Sequence, residues 1–267
     1  MKGISHRALA AELALAVEED RLDIVYQPKI ALDDGALAGV EALARWHHPR
    51  LGDIPPSQFI PAAEEHGAIG PFTDWLLRRA FHQWCAWRDQ GLVTCLAVNL
   101  SALSLRDLEF PDRLDLLCRG EGVPSDHILL EITESATQKT ERLLDTLTRF
   151  RIKGFGLSLD DFGTGYSSLL QLRQLPYSEL KIDCCFVRDA AAARESRLIV
   201  ESVVRLAHGL GLIATAEGVE DEPTLALLRR LGCDRAQGFF IAAPMPGAEL
   251  VTWWLTRGET AAGRRAA

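Results

Sequence analysis

Apolar positions along the chain switch repeatedly between a helical and a strand-like spacing. From Ala8 to Asp20, Leu9, Leu13, Ala16 and Val17 recur at helical intervals with Glu12 and Glu19 off their stripe, predicting an opening amphipathic helix. Short apolar runs suited to strands follow at Asp23–Ile30, Leu37–Trp46, Thr94–Leu100, His127–Ile132, Gly156–Asp161, Glu179–Asp183, Leu212–Glu217 and Arg235–Phe240. Helix-period segments separate most of them, at Phe72–Asp89, Leu105–Arg119, Thr140–Ile152, Ser167–Leu172, Glu195–Leu210 and Glu222–Leu231. Pro176, Gly209, Gly211 and Gly232 stand where these helices should stop. Thr94–Leu100, Leu129–Ile132 and Leu212–Ala216 are almost wholly apolar, as strands covered on both faces are.

Strand–helix alternation places the chain in the α/β class, and eight strands in this length favour a closed (β/α)8 barrel over an open sheet. Two features modify the plain repeat. The Asp33-Asp34-Gly35 turn between the first two strands is hairpin chemistry and predicts one antiparallel strand. The stretch from Trp46 to Asp74 carries five prolines and reads as a small loop-and-helix lobe. Residues 1–257 are read as a single domain including the first helix, and Gly258–Ala267 as a disordered tail.

Composition narrows the function classes. Hydrophobic residues make up 48% and charged ones 25% of 267, which is ordinary for a folded protein. The net charge of −8 argues against non-specific DNA or RNA binding, which needs basic surface. No apolar run approaches the ~18 residues of a membrane span, and Glu12 and Glu18-Glu19-Asp20 interrupt any leader-like stretch. The expectation is a cytoplasmic protein without membrane contact from this segment. Six cysteines (Cys85, Cys95, Cys118, Cys184, Cys185, Cys233) show no CxxC spacing, so a zinc site and a disulfide framework are excluded in favour of buried free thiols. Cys184 and Cys185, read as strand neighbours, would face opposite ways.

The chemistry is carried by polar residues that interrupt apolar strands. Glu41 lies within the second strand, Asn99 ends the third and Glu131 the fourth. Asp160 and Asp161 end the fifth, Lys181 and Asp183 the sixth, and Glu217 the seventh, while Gln237 lies in the eighth. In a barrel the C-terminal strand ends converge on one face, where active sites form. So many carboxylates cannot all stay ionised together without a cation. Hard oxygen donors with an Asn carbonyl suit Mg²⁺ or Mn²⁺, and adjacent aspartates can serve two ions. Cations in an acidic mouth favour an anionic phosphoester substrate, with Lys181 supplying charge beside the reacting centre.

At these residues the sequence resembles the EAL-domain family of bacterial cyclic-di-GMP phosphodiesterases. The likeness runs from Tyr26-Gln27-Pro28 to Pro244-Met245-Pro246. It includes Glu41-Ala42-Leu43-Ala44-Arg45-Trp46, Val98-Asn99-Leu100-Ser101, Glu131-Ile132-Thr133-Glu134, the run from Asp160 to Leu169, Leu180-Lys181-Ile182-Asp183, Ala216-Glu217-Gly218-Val219-Glu220 and Gln237-Gly238. The resemblance implies a modified barrel with one antiparallel strand. It implies Glu41, Asn99, Glu131 and Asp160 as ligands of a first metal, with Asp160 shared and Asp161 completing a second. The cofactors would be two divalent cations, Mg²⁺ or Mn²⁺, with Ca²⁺ inhibitory, and an activated water would open cyclic-di-GMP to linear pGpG. Lys181 and Glu217 would orient and deprotonate that water, and Gln237 would hold solvent. Gln27, Leu43, Arg45 and Asp183 would face the substrate. The segment Phe162-Gly163-Thr164-Gly165 would belong to a loop braced by Glu134 that links metal binding to a homodimer interface. Sensor or diguanylate-cyclase domains outside this chain are the implied partners.

A catalytically silent cyclic-di-GMP receptor acting through protein partners is the alternative reading. Such degenerate domains lose a metal ligand, the lysine or the loop motif, and all of these are present here. His47 and His48 are adjacent and so ill placed for joint ligation, which favours a role in shaping the loop. Trp84 and Trp87 with Phe81 form a core stripe at helical spacing, and Trp253-Trp254 is expected to pack a final helix on the barrel.

Overall fold

The computed structural model describes residues 4–134, 143–163 and 169–265. The strands are β1 (Asp23–Ala31), β2 (Leu37–His48), β3 (Gly52–Ile54), β4 (Leu96–Asn99), β5 (Ile128–Thr133), β6 (Gly156–Phe162), β7 (Glu179–Ile182), β8 (Ile213–Ala216), β9 (Arg235–Gln237) and β10 (Met245–Pro246). The α-helices are α1 (His6–Glu18), α2 (Pro56–Glu65), α3 (Ile69–Asp89), α4 (Phe110–Glu121), α5 (Leu143–Ile152), α6 (Leu169–Gln174), α7 (Cys184–Val187), α8 (Arg194–Gly209), α9 (Glu222–Arg230) and α10 (Gly247–Arg265).

Eight strands close a barrel in the order β1-β2-β4-β5-β6-β7-β8-β9 and back to β1. β1 runs antiparallel to both neighbours, and every other pairing around the barrel is parallel. The reversal is set locally. Asp33 Oδ1 accepts from Asp34 N and Asp34 Oδ1 from Ala36 N, both at 2.8 Å, and Gly35 takes the left-handed conformation (φ +75°) that closes the turn. The short strands β3 and β10 add to β2 and β1 outside the closed ring.

The outer shell follows the hydrophobic pattern. In α3, Phe81, Trp84 and Trp87 are buried as the helical stripe predicts. Trp84 Nε1 donates to Thr94 O and Trp87 Nε1 to Gly247 O, each at 2.8 Å, so the polar edge of each ring is satisfied. The Trp87 ring meets Tyr26 edge-on with centroids 4.7 Å apart, tying α3 to β1 and to the start of α10. In the proline-rich lobe, Phe59 of α2 stacks edge-on against Trp46 and Phe72. Trp253 and Trp254 pack against the core as expected. His48 is buried, and its Nδ1 accepts from Arg50 N and Leu51 N at 3.1 Å, which shapes the turn into β3.

Three expectations are corrected. α10 continues to Arg265, so residues 258–265 extend a helix where a tail was expected. Cys184 and Cys185 begin a helix instead of ending a strand, because Asp183 caps it through Oδ1 on Cys185 N at 2.8 Å. All six thiols are free, but Cys185 is exposed and only Cys118 and Cys233 are fully buried. The helix expected at Thr140–Ile152 is described from Leu143, and the one expected at Ser167–Leu172 from Leu169.

Truncating Trp87 removes a fully buried ring and its link to α10. Trp87→Ala is expected to destabilise the fold by about 3–5 kcal/mol, read as a lower denaturation midpoint.

Candidate functional site

Strand alternation decides which side chains enter the barrel. On β1, Gln27 and Lys29 share the inner face; Gln27 lies level with Glu41 of β2, and Lys29 level with Gln237 of β9. Asn99 of β4 pairs in register with Glu131 of β5, and Thr133 with Asp160 of β6. Lys181 projects from β7, and Glu217 directly follows β8.

These groups meet. Lys181 Nζ, 1% exposed, lies 2.6 Å from Glu217 Oε1, 3.1 Å from Glu131 Oε2, 3.1 Å from Asp160 Oδ1 and 3.9 Å from Glu41 Oε2. Glu41 is gripped on both oxygens, by Asn99 Nδ2 at 2.7 Å and Gln237 Nε2 at 2.8 Å. Gln237 also donates to Gln27 Oε1 at 3.0 Å, and Gln27 donates to Ala242 O at 3.2 Å. One oxygen each from Asp160, Asp161 and Glu217 lies within 4.8 Å of the others, a spacing that one cation can bridge.

Asp161 is set apart from Asp160 by the backbone. It has φ +56°, a left-handed value uncommon for a residue other than glycine, and the β6–β7 register breaks between Leu159 and Phe162. Asp160 Oδ1 accepts from Asp161 N at 2.9 Å and holds the kink. The two carboxylates are thereby freed from strict alternation. Beyond them Gly163 N donates to Glu134 Oε2 at 3.0 Å. Thr164 and Gly165 lie outside the described residues.

Two cavities meet at the acids. One, of about 260 Å³, is lined by Gln27, Glu41, Asp160, Lys181, Glu217 and Gln237. The other, of about 540 Å³, lies between the barrel and the proline-rich lobe, with Ile60, Phe72 and Leu76 on its apolar wall and Glu64, Asn99 and Asp161 on its polar one. Leu43 and Asp160 line both. Arg45 and Asp183 line neither; Arg45 Nη1 donates to Ala44 O at 2.9 Å, and Asp183 is engaged in capping α7.

The charges are unevenly answered. Burial, reinforced by Glu131, pushes the Glu41 carboxyl up to about 7. Burial and the Asp160 charge push Asp161 up to about 6. Glu217 rises to about 8, chiefly by burial, which the Lys181 ammonium only partly offsets. Glu131 is the exception: burial raises it, but Lys181 and Lys29 together outweigh that and hold it down at about 2. Among the described residues, Glu131 Oε2, although 3.1 Å from the Lys181 ammonium, and Gln237 Oε1 are buried without a hydrogen-bond partner. Orphaned oxygens, carboxylates in excess of cations and a purely hard donor set fit a divalent cation of the Mg²⁺ or Mn²⁺ kind.

Sequence reasoning missed Lys29, Glu179 and Arg235, which lie beneath the acids. Lys29 Nζ is 2.7 Å from Glu131 Oε1 and 3.6 Å from Glu179 Oε1, and Glu179 Oε2 takes Arg235 Nη1 at 2.7 Å. A signal was available, since each sits two residues from a recognised site residue on the same strand: Lys29 from Gln27, Glu179 from Lys181 and Arg235 from Gln237.

The EAL domain profile matches residues 10–244. The chain is 42% identical over 245 residues to the bifunctional diguanylate cyclase/cyclic di-GMP phosphodiesterase MucR of Pseudomonas aeruginosa, covering 91% of this chain and 36% of that protein. It is 38% identical over 247 residues to the oxygen sensor protein DosP of Escherichia coli K12, covering 92% and 31% respectively. The chain thus spans about a third of the length of these curated relatives. Among solved structures, the PaMucR phosphodiesterase in its c-di-GMP complex superposes with a TM-score of 0.85 at 41% identity, covering 91% of this chain and 99% of that one. The EAL domain of Mycobacterium smegmatis DcpA gives 0.75 at 35% identity, with 88% and 98% covered.

The raised carboxyls predict a pH-dependent stability. Glu41, Asp161 and Glu217 titrate above their ordinary values of 4.5, 3.8 and 4.5, so between about pH 5 and 8 the folded chain holds more protons than the unfolded chain. Stability therefore falls as pH rises through that window; the opposite contribution of Glu131 is lost only below about pH 4.5. In EDTA the melting midpoint is expected to drop from pH 5.5 to 8, and Mg²⁺ or Mn²⁺ to remove or reverse the drop, as about pH 5.5–8 spans these titrations. Identical profiles with and without cation would contradict this account.

Proposed function

The chain belongs to the EAL-domain family, and on that premise we propose that it hydrolyses one phosphodiester bond of cyclic-di-GMP to linear pGpG with two divalent cations, Mg²⁺ or Mn²⁺, as cofactors. The observation that carries this reading is the convergence of Asp160, Asp161 and Glu217 around the Lys181 ammonium at an open mouth. Glu41, Asn99, Glu131 and Asp160 would hold one cation and Asp160 with Asp161 the other. When bound, the cations supply Lewis-acid polarisation of the phosphoryl oxygens and a more acidic water.

The chain's own residues account for the rest. The Glu217 carboxylate, held by Lys181 through Oε1, would accept a proton from the attacking water. The water's oxygen would bond to phosphorus as the bond to the ribose oxygen breaks, and that oxygen would leave as a hydroxyl on taking a proton from solvent. Lys181 Nζ, fully charged among its carboxylate neighbours, holds Glu217 and the water in place. Gln237 fixes Glu41 and Gln27 through one amide nitrogen, and its buried carbonyl oxygen, without a hydrogen-bond partner among the described residues, would hold a water molecule. Two cavities joined at Leu43 and Asp160 suit a ligand with two bases linked through phosphates. Arg45, whose guanidinium is bonded only to its neighbouring carbonyl among the contacts described, serves to reach a phosphate at the rim. A homodimer, cytoplasmic location, and sensor or cyclase domains beyond this chain belong to the same proposal. Among the described residues no helix is long and apolar enough to cross a membrane.

Purified protein with cyclic-di-GMP is expected to yield pGpG by chromatography in Mg²⁺ or Mn²⁺, and none in EDTA or Ca²⁺. Binding without conversion in every cation would favour the silent receptor. Asp160→Asn should abolish turnover, and retention of more than about a tenth of the wild-type rate would overturn the two-cation reading. Glu134→Ala removes the brace on Gly163 without removing a ligand, and a loss of about tenfold in turnover is expected.

A further inference from the structure

The layer beneath the proposed cation site is ionic although the interior of a barrel is ordinarily apolar. Because β1 is reversed, its inner face descends from Gln27, level with Glu41, to Lys29, which lies level with Gln237 on one side and Gly39 on the other. Lys29 is 1% exposed and reaches across the barrel to Glu131 on β5 and Glu179 on β7. Glu179 is in turn answered by Arg235 at 2.7 Å and lies 3.5 Å from Ser158 Oγ. A ladder of alternating charge thus runs up the barrel axis: Arg235, Glu179, Lys29, Glu131, Lys181 and the acids of the mouth.

An apolar filling would often be at least as stable as such buried ion pairs. What it would not supply is the division of labour at Glu131. Glu131 Oε1 is tied to Lys29 at 2.7 Å, which leaves Oε2 as the oxygen turned towards Lys181 and the mouth, within 3.1 Å of the ammonium but without a hydrogen-bond partner among the described residues. With one oxygen held, the carboxylate cannot rotate to offer both, nor turn away when Glu41 and Asp160 crowd it. We propose that Lys29 is a positioning residue for the cation site, selecting Oε2 of Glu131 as the single oxygen presented to a divalent cation of the Mg²⁺ or Mn²⁺ class. The inference rests on the two-cation reading above.

The test uses Mn²⁺ alone, titrated by electron paramagnetic resonance without substrate, with melting midpoints in EDTA measured in parallel. Lys29→Met removes the tie but also leaves the buried layer one negative charge in excess, because Arg235 answers only Glu179. The double variant Lys29→Met/Glu179→Gln removes the tie and that excess charge together. Both are expected to bind Mn²⁺ about 10–100-fold more weakly than wild type, the range typical for loss of a group that orients a metal ligand. The double variant should recover melting stability relative to the single one while its Mn²⁺ affinity stays low. Wild-type Mn²⁺ affinity in the double variant overturns the proposal alone and leaves the cation reading intact. A wild-type protein that takes up no Mn²⁺ overturns that reading and the proposal with it. Failure of both variants to fold makes Lys29 a residue of the fold, and also counts against a positioning role.

Discussion

The Lys181 ammonium, with four carboxylates within 3.9 Å, is the contact around which the interior of this barrel is organised. Ionised groups inside eight closely packed strands have little water to solvate them, so each must be answered by another charge or be driven neutral. Lys181 alone cannot answer Glu41, Glu131, Asp160 and Glu217 at once. Glu131 wins the competition because it has Lys29 on its other side, and its carboxyl is held low. Glu41 and Glu217 lose, and burial drives theirs towards neutrality. The same imbalance gives the mouth its affinity for added positive charge, so the electrostatic strain of the folded chain and the chemistry proposed for it have one origin.

The reversed first strand makes this arrangement possible. An all-parallel barrel sends every strand towards the mouth, and polar residues near the strand ends gather in one layer. β1 runs the other way, so Gln27 reaches the level of Glu41 while the later Lys29 reaches beneath it. One strand therefore supplies an amide that faces the mouth cavity and an ammonium that supports the floor. The turn that enforces the reversal, two aspartates capping backbone amides before a left-handed glycine, lies far from the chemistry it makes possible.

At the other side of the mouth the backbone itself is the device. Neighbouring residues on a regular strand face opposite ways, yet Asp160 and Asp161 both contribute oxygens to one cluster. The left-handed φ of Asp161 and the broken register of β6 resolve that conflict, at the cost of local strain. The strained residue leads directly to Gly163, held by Glu134, which follows the neighbouring strand β5.

Much of this was legible without coordinates. The alternation of apolar runs with helical stripes led to a barrel, the Asp33-Asp34-Gly35 turn to its antiparallel strand, and the polar residues at successive strand ends to a shared mouth. These are local signals, because backbone periodicity and turn chemistry act over a few residues. What tertiary structure alone decided is long-range. Lys29, Glu179 and Arg235 come from strands distant in sequence; alternation along each strand could place them on the inner face, but not show which of them meet. The helical start at Cys184 depended on Asp183 acting as a cap, and the helical course of residues 258–265 was not marked by an apolar stripe. The left-handed turn of Asp161 answers to packing between β6, β7 and the acids around them. Sequence by itself determined which residues are ionisable and, through strand alternation, which face of its strand each occupies. Only the closed barrel determined which charges meet, because in a low-dielectric interior the state of each group depends on partners that the chain brings together across a hundred residues or more.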